Sequence, residues 1–173
     1  MDPKNTQMAW HALYVMPRSE KKVGKQIKML HPGIEVCVPV QQQYRQWHDR
    51  KKLVEVVLFD SYVFVGLYPA DRNKVFDVGN VLRYVHYEGR PAVLSRQEIA
   101  AIHQLGSAEY PVEILSGPMA TGDPIEITSG KLKGLYGYVL AMNGTARVLV
   151  SIPSLGCFAK VELPRGELRR VGG

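Results

Sequence analysis

Residues that could carry catalysis are present in this chain, but they are scattered along it. The candidates are five histidines and two cysteines: His11, His31, His48, His86, His103, Cys37 and Cys157. No serine or cysteine lies in a turn typical of a nucleophile, and no pair of carboxylates stands out for acid–base work. His86 lies beside Tyr87 and Glu88, but a lone histidine at a strand end is usually structural. The sequence therefore predicts no enzymatic activity, no metal site and no cofactor.

Basic residues interleaved with aromatic ones favour a different chemistry, the binding of nucleic acid. In such clusters the cations can contact phosphates and an aromatic ring can stack on a base. One turn has this composition and carries Arg45, Trp47, His48, Arg50, Lys51 and Lys52. A second turn carries Lys131 and Lys133 without an aromatic residue, and these two cations could contact RNA. A plainer interpretation also remains, because exposed hairpins are commonly basic and the net charge of +6 is spread along the chain.

The cysteines and the start of the chain bear on where the protein works. Cys37 and Cys157 lie far apart, each inside an apolar run, which is typical of buried thiols in a reducing compartment. Residues 1 to 5 lack the apolar core of a signal peptide, and no run reaches the roughly 20 apolar residues of a membrane-spanning helix. We therefore expect a cytoplasmic protein.

The elements that position these residues begin with a strand and a helix. Residues 10 to 15 form an aromatic and aliphatic run that predicts a strand. Ser19 then predicts the start of a helix that ends at Leu30, with Val23, Ile27 and Leu30 on its buried face. The charged residues between those positions would face water.

Four strand-like runs follow this helix and favour antiparallel pairing. They cover residues 34 to 40, 43 to 47, 53 to 59 and 62 to 67. A short helix is predicted over residues 71 to 78 and another strand over residues 81 to 87. Ser95 and Glu98 have the spacing of a capping box, which predicts a helix through Leu105. This order indicates an α+β domain whose helices cover one face of an antiparallel sheet and leave the other face available for binding.

Residues 107 to 120 break this pattern with proline and glycine and predict a linker. Beyond it, strand-like runs punctuated by glycines predict a small all-β domain. Asn143 and Gly144 between apolar runs predict a hairpin turn with positive φ at both residues. The predicted division is therefore a first domain over residues 1 to 106, the linker, and a second domain over residues 121 to 173.

Several segments, taken in order, resemble the NusG family of transcription factors. The first domain is similar to the family's NGN domain, and the second to its KOW domain, which is a small SH3-like β barrel. The matching segments are Trp10-His11-Ala12-Leu13-Tyr14, Pro17-Arg18-Ser19-Glu20-Lys21-Lys22-Val23, Leu58-Phe59-Asp60-Ser61-Tyr62-Val63-Phe64-Val65, Arg90-Pro91-Ala92-Val93 and the glycine-lysine turn of the second domain. The family usually has Phe-Pro-Gly-Tyr or Phe-Pro-Asn-Tyr where this chain has Phe59-Asp60-Ser61-Tyr62. This difference and the helix opening favour the specialised antiterminator branch, which includes RfaH and the UpxY regulators.

The resemblance implies binding to RNA polymerase at two places. The family contacts the clamp helices of the largest subunit through an apolar, aromatic-lined depression, and the opposite lobe or the non-template DNA strand through the helix after the central strands. The matching residues are Tyr14, Phe59 and Tyr62 for the clamp, and Arg72, Asn73 and Lys74 for the lobe and the DNA. The three rings could instead belong to the core, and the three polar residues to a solvated helix start. For Phe59, at the edge of the altered turn, we favour the interface.

The implied function is to hold polymerase in its elongating state and so to suppress pausing and termination. The specialised branch implies action on long operons, such as those for capsular or surface polysaccharides, with a housekeeping elongation and termination factor as the alternative. An RNA-binding protein of translation or ribosome assembly would use a similar barrel. The family also implies Rho or a ribosomal protein as a partner of the KOW domain, contact with nascent RNA, and a monomer.

The second domain also has a helical alternative, because RfaH stores its KOW domain as a helical hairpin. Closely spaced helix breakers oppose that form here: Gly134, Gly137, Gly144, Pro153 and Pro164. A proline inside a helix costs roughly 3 kcal/mol. We therefore expect the β form.

Overall fold

Strands dominate the chain, which is known from a computed structural model that describes residues 6–172. The strands are β1 (Ala9–Val15), β2 (Glu35–Cys37), β3 (Val40–Trp47), β4 (Arg50–Val57), β5 (Tyr62–Leu67), β6 (Val81–Tyr84), β7 (His86–Tyr87), β8 (Arg90–Pro91), β9 (Val93–Leu94), β10 (Val112–Ser116), β11 (Pro124–Ile127), β12 (Tyr136–Asn143), β13 (Thr145–Ile152), β14 (Cys157–Pro164) and β15 (Leu168–Arg170). The α-helices are α1 (Glu20–Leu30) and α2 (Arg96–Gly106). Short 3-10 helices occur at Pro69–Asp71, Lys74–Asp77, Pro153–Leu155 and Arg165–Glu167. No helix in the described range is long and apolar enough to cross a membrane.

The chain divides into two compact units that do not follow a single cut in the sequence. The first unit contains residues up to 38 and residues 59–99, and the second contains residues 39–58 and 100 onward. The β3–β4 hairpin interrupts the first unit in chain order but groups with the later strands. The boundary falls within α2.

The sheet of the first unit has the strand order β2-β5-β1-β6, and β9 also pairs with β1. All of these pairs are antiparallel. Residues from β1, β5 and α1 form the apolar core on one face, including Leu13, Val15, Val23, Ile27, Val63, Val65 and Leu67. The prediction of a helix with Val23 and Ile27 turned inward is confirmed. Leu30 was wrongly placed on the buried face: it is 52% exposed, because it is the final residue of α1 and lies past the last core position.

The stretch predicted to be helical over residues 71 to 78 is helical only in part. The segment instead forms two one-turn 3-10 helices, Pro69–Asp71 and Lys74–Asp77. Backbone bonds span three residues there, as in the Phe76 amide that donates to the Asn73 carbonyl at 3.1 Å. The Arg72 carbonyl accepts from the Tyr84 hydroxyl at 2.7 Å. Anchoring this carbonyl to β6 favours the two short turns over one continuous α-helix.

Helix α2 begins with the predicted capping box. The Glu98 amide donates to Ser95 Oγ at 3.1 Å, and the Ser95 amide donates to Glu98 Oε2 at 2.7 Å. Two otherwise unpaired amides at the helix start are thereby satisfied. The capping-box prediction is confirmed, and α2 ends one residue beyond the expected Leu105.

The second unit contains a six-stranded antiparallel sheet in the order β10-β14-β13-β12-β11-β15. The predicted all-β character is confirmed, since strands and 3-10 helices make up the regular structure between Val112 and Arg170. The segment expected to be a linker contributes β10, which pairs with β14. Gly144 turns the β12–β13 hairpin with φ of +77°. The prediction of positive φ at Asn143 is wrong, because Asn143 remains the last residue of β12 and pairs with Thr145.

A buried amide ties the β3–β4 hairpin to the segment before β10. Gln41 is 3% exposed. Its Nε2 donates to the carbonyls of Ala108 at 3.0 Å and Tyr110 at 2.7 Å. Its Oε1 accepts from the Val112 amide at 3.1 Å and from Gln43 Nε2 at 2.8 Å. The single side chain therefore pairs three backbone groups, which would be costly to bury unbonded.

Candidate functional site

A pair of tyrosines marks the sheet face of the first unit that lies opposite α1. Tyr14 on β1 is directly opposite Tyr62 on β5. Successive strand residues point to opposite faces, and the neighbours Leu13 and Val63 pack in the core with α1. Both tyrosines are half-buried, with ring centroids 6.2 Å apart and planes at 79°. The predicted sites Tyr14 and Tyr62 are therefore brought together in one edge-to-face pair.

Two further residues of this face, Arg83 and Trp10, were not predicted to be contact residues from the sequence. Arg83 on β6 is directly opposite Tyr14, and its guanidinium carbon lies 5.0 Å from the centre of the Tyr14 ring. Trp10 packs its ring over Gly66, where a Cβ would come within 2.8 Å of the indole. The even spacing of Trp10 and Tyr14 along a strand was a signal for a shared face. The sequence carried no signal for Arg83, which reaches Tyr14 only through the pairing of β1 with β6.

Phe59, the third predicted clamp residue, does not join this exposed pair. It is 3% exposed, and its ring meets the ring of Phe64 edge-on at 5.1 Å between centroids. We expected the Phe59 ring to be exposed at the edge of the altered turn, whereas the structure buries it. An apolar ring gains more from packing on a buried neighbour than from water. In this structure Phe59 supports the face from within.

The altered turn between Phe59 and Tyr62 is held by a buried carboxylate. Ser61 has a left-handed backbone with φ of +64°. Its amide donates to Glu20 Oε1 at 2.7 Å, and Glu20 is 5% exposed at the start of α1. A carboxylate is favourable at a helix N-terminus. The Glu20 carboxylate thus fixes the turn that precedes Tyr62.

The predicted lobe-contacting residues lie at the 3-10 turns. The Arg72 guanidinium carbon lies 5.3 Å from the centre of the Tyr84 ring. Asn73 is exposed, and Lys74 Nζ forms an ion pair with Asp71 at 2.7 Å. Arg72 is thus held against the protein, while Asn73 and Lys74 face solvent.

Behind Tyr84 lies a buried histidine. His11 contacts the Tyr84 ring edge-on at 5.5 Å, and its Nδ1 lies 3.2 Å from the Ala92 carbonyl, to which Nδ1–H donates. Burial lowers the pKa of His11, and the charge of Arg72 lowers it further, while the bond to Ala92 opposes the shift. The ring is therefore favoured in its neutral form.

The cations predicted to contact nucleic acid lie at two exposed places in the second unit. Arg45, Arg50, Lys51 and Lys52 occupy the distal part of the β3–β4 hairpin, with Trp47 among them. The other two, Lys131 and Lys133, lie in the turn after β11. Their carbonyls accept from Gln104 Nε2 at 2.9 and 2.8 Å. All six charged side chains are exposed.

Within residues 6–172, no group of three or more histidine, cysteine, aspartate or glutamate side chains could hold a metal ion. Cys37 and Cys157 are both buried free thiols. Burial raises the pKa of the Cys37 thiol, with the charge of Lys28 acting in the opposite direction. A buried thiol with a raised pKa makes a poor nucleophile.

Comparisons with known proteins give a family match and similar solved structures. A family model described as "Transcription termination factor nusG" matches residues 8–103, more than half of the 173 residues. A solved structure described as "Domain interaction in Thermotoga maritima NusG" is similar, with a TM-score of 0.62 and 21% identity over 97% of this chain and 99% of that chain. At this identity the likeness shows a shared fold. Another, described as "Crystal Structure of MjSpt4:Spt5 complex conformation B", has a TM-score of 0.34 and 14% identity over 95% of this chain and 97% of that chain, too distant to carry an argument. No curated protein matches the sequence.

Proposed function

Because this chain belongs to the NusG family of transcription factors, we propose that it binds RNA polymerase through Tyr14 and Tyr62 and suppresses pausing and termination. The observation that supports this proposal is the half-exposed edge-to-face pair on the sheet face opposite α1. Aromatic anchors combine large contact area with few rotatable bonds, and one or two often contribute roughly 2 kcal/mol or more each to an interface. Members of this family are transcription factors without enzymatic activity, so the function needs no catalytic group.

The composition of the face suits the clamp helices of the polymerase. Arg83 on the Tyr14 ring adds a cation beside the aromatic pair, so that a helical partner can offer apolar side chains to the rings and a carboxylate to the guanidinium. Phe59 enters the proposal as support for this surface and no longer as a contact. The second contact, with the opposite lobe or the non-template DNA strand, would use Asn73 and Lys74, with Arg72 fixing the turn from which they project.

The proposed mechanism is a shift between two states of the polymerase. A factor that binds the closed, elongating state more tightly than the paused state favours elongation by that difference in binding free energy and by no more. Two contacts on opposite sides of the cleft make the difference large, because an opened cleft can satisfy only one of them. No bond is made or broken.

We further propose that the protein belongs to the specialised, UpxY- or RfaH-like branch and acts on long operons such as those for capsular or surface polysaccharides. The support is the Asp60-Ser61 turn, which replaces the usual Pro-Gly or Pro-Asn and is held by Glu20. Deleting the gene and measuring promoter-distal against promoter-proximal transcript tests this assignment. A change confined to a few long operons is expected, and an equal change across all operons would favour the housekeeping role.

The second unit would serve partner binding. We propose Rho, a ribosomal protein or nascent RNA as its partner, with Lys131 and Lys133 available because neither ammonium group forms an ion pair among the described residues. We assign polymerase binding to residues 1 to 106. Affinity capture from lysate with the full-length protein should recover polymerase subunits. Ribosomal proteins without polymerase would favour the translation alternative.

The aromatic contact itself is tested with purified polymerase. The variant Tyr14→Ala, Tyr62→Ala should keep its fold and lose suppression of pausing in a single-round elongation assay. The matched control is Tyr87→Ala, which removes a tyrosine that is 42% exposed on β7, outside the proposed surface. A folded double variant that still suppresses pausing as the control does would disprove the proposed interface.

A further inference from the structure

The β3–β4 hairpin distributes its basic residues unequally between its two faces. Residues directly opposite each other in an antiparallel pair share a face, and successive residues alternate. Arg45 pairs with Lys52, and Trp47 pairs with Arg50. One face, here called the basic face, therefore carries Arg45, Trp47, Arg50 and Lys52. The reverse face carries Tyr44, Gln46, Lys51 and Leu53.

The basic face has no acidic side chain to balance its charge. Towards the base of the hairpin it continues with Gln43 opposite Val54. The acidic residues of the hairpin itself are Asp49, in the turn, and Glu55, on the reverse face. None of the three basic-face cations forms an ion pair with any residue that the structure describes. The face is therefore an unbalanced positive surface.

The register also makes this arrangement unfavourable for the hairpin alone. Arg45 and Lys52 are directly opposite each other, and like charges at such positions destabilise a strand pair. Trp47 is directly opposite Arg50, so its indole lies on the same face as a cation. The Trp47 side chain is nevertheless 59% exposed. A bound polyanion would relieve the repulsion and cover the ring. The cations of the basic face favour a ligand with phosphates, and the exposed Trp47 ring favours a ligand with bases that can stack on it.

We propose that the basic face of the β3–β4 hairpin binds single-stranded nucleic acid. Arg45, Arg50 and Lys52 contact phosphates, and one base stacks on Trp47. An unpaired strand is favoured over a duplex because stacking on a side chain requires a base whose face is not covered by its neighbours. Residues two apart on one strand are about 6.7 Å from each other, so the face presents a row that an extended strand can follow. This binding needs no polymerase, so it goes beyond the proposed function and stands or falls apart from it.

The experiment measures fluorescence anisotropy of a labelled oligothymidine of about 15 nucleotides with the full-length protein. Trp47→Ala should weaken binding by about 5- to 150-fold, the range found when a stacking ring is removed. Lys52→Ala should weaken binding and reduce the slope of log affinity against log salt by about 0.7, the value for one phosphate contact on a single strand. Arg45→Ala and Arg50→Ala should act as Lys52→Ala does.

The matched control is Lys51→Ala, which removes the same charge from the adjacent residue on the reverse face. It should leave the salt slope unchanged, because Lys51 points away from the bound strand. Thermal unfolding of each variant confirms that the fold is kept. The proposal is rejected if Lys51→Ala and Lys52→Ala have equal effects, since the attraction would then be diffuse. It is also rejected if Trp47→Ala has no effect, if a duplex of equal length competes as well as the single strand, or if no binding occurs at about 50 mM salt.

Discussion

Phe59 and Tyr62, three residues apart, should respond in opposite ways to substitution. Phe59 is 3% exposed and meets Phe64 edge-on at 5.1 Å, so Phe59→Ala removes a buried ring and leaves a cavity. Such changes cost about 3–5 kcal/mol, and loss of the edge-to-face pair contributes about 0.5–1.5 kcal/mol of that. Against a typical unfolding free energy of about 5–15 kcal/mol, this is a large fraction of the stability. Tyr62→Ala should cost far less stability and weaken polymerase binding by roughly 2 kcal/mol, about 30-fold.

Urea unfolding followed by circular dichroism measures the stabilities, and titration of labelled polymerase measures the affinities. Phe59→Leu separates packing from contact, because it keeps most of the volume and should cost only about 1.5 kcal/mol. It should bind polymerase within a factor of about two of the unsubstituted protein, since the side chain of residue 59 is almost completely buried. If folded Phe59→Leu loses polymerase binding to the extent that Tyr62→Ala does, the Phe59 ring touches the partner and the core assignment is refuted.

Three further predictions follow from particular contacts. Burial lowers the pKa of His11 below its usual 6.5. Below about pH 6.5 the unfolded chain therefore binds more protons than the folded one, so the free energy of unfolding should fall as the pH drops. The urea midpoints measured at pH 5 and at pH 7 should differ less in His11→Asn than in the unsubstituted protein. Glu20→Ala removes the acceptor of the Ser61 amide and should lower the free energy of unfolding, measured with urea, by about 1.5–3 kcal/mol. The control Glu20→Gln keeps an acceptor and should cost less stability. Equal losses of stability in the two variants would contradict a role for the hydrogen bond. Gly137→Ala would place a Cβ 2.6 Å from a backbone carbonyl and should cost about 1–3 kcal/mol. The control Gly166→Ala meets nothing within 4 Å and should change the melting temperature little.

Local patterns in the sequence predicted several elements of the fold. The apolar alternation of β1, the inward stripe of α1 and the capping box of Ser95 each depend on residues within a few positions of one another, so their outcome is fixed by short-range sterics and hydrogen bonding. The choice of Tyr14 and Tyr62 as contact residues came from the family resemblance, whereas their pairing became known only from the register of β1 and β5.

What the sequence left open depends on partners distant along the chain. Arg83 reaches Tyr14 only because β6 pairs with β1. The strand β10 forms within a proline-containing segment because β14 offers it a free edge, and the 3-10 turns before β6 depend on the Tyr84 hydroxyl. In each case tertiary contacts decided against the local signal.

The amide of Gln41 has a consequence for how this protein can change over evolutionary time. Its two N–H groups and its oxygen are all engaged by backbone between Ala108 and Val112. Ionised glutamate has the same shape but offers no donor, and methionine offers no donor and only a weak acceptor. A homologue that lacks glutamine at this position should therefore have a different backbone conformation in the segment before β10. The residue at this position then predicts whether a homologue shares the conformation seen here.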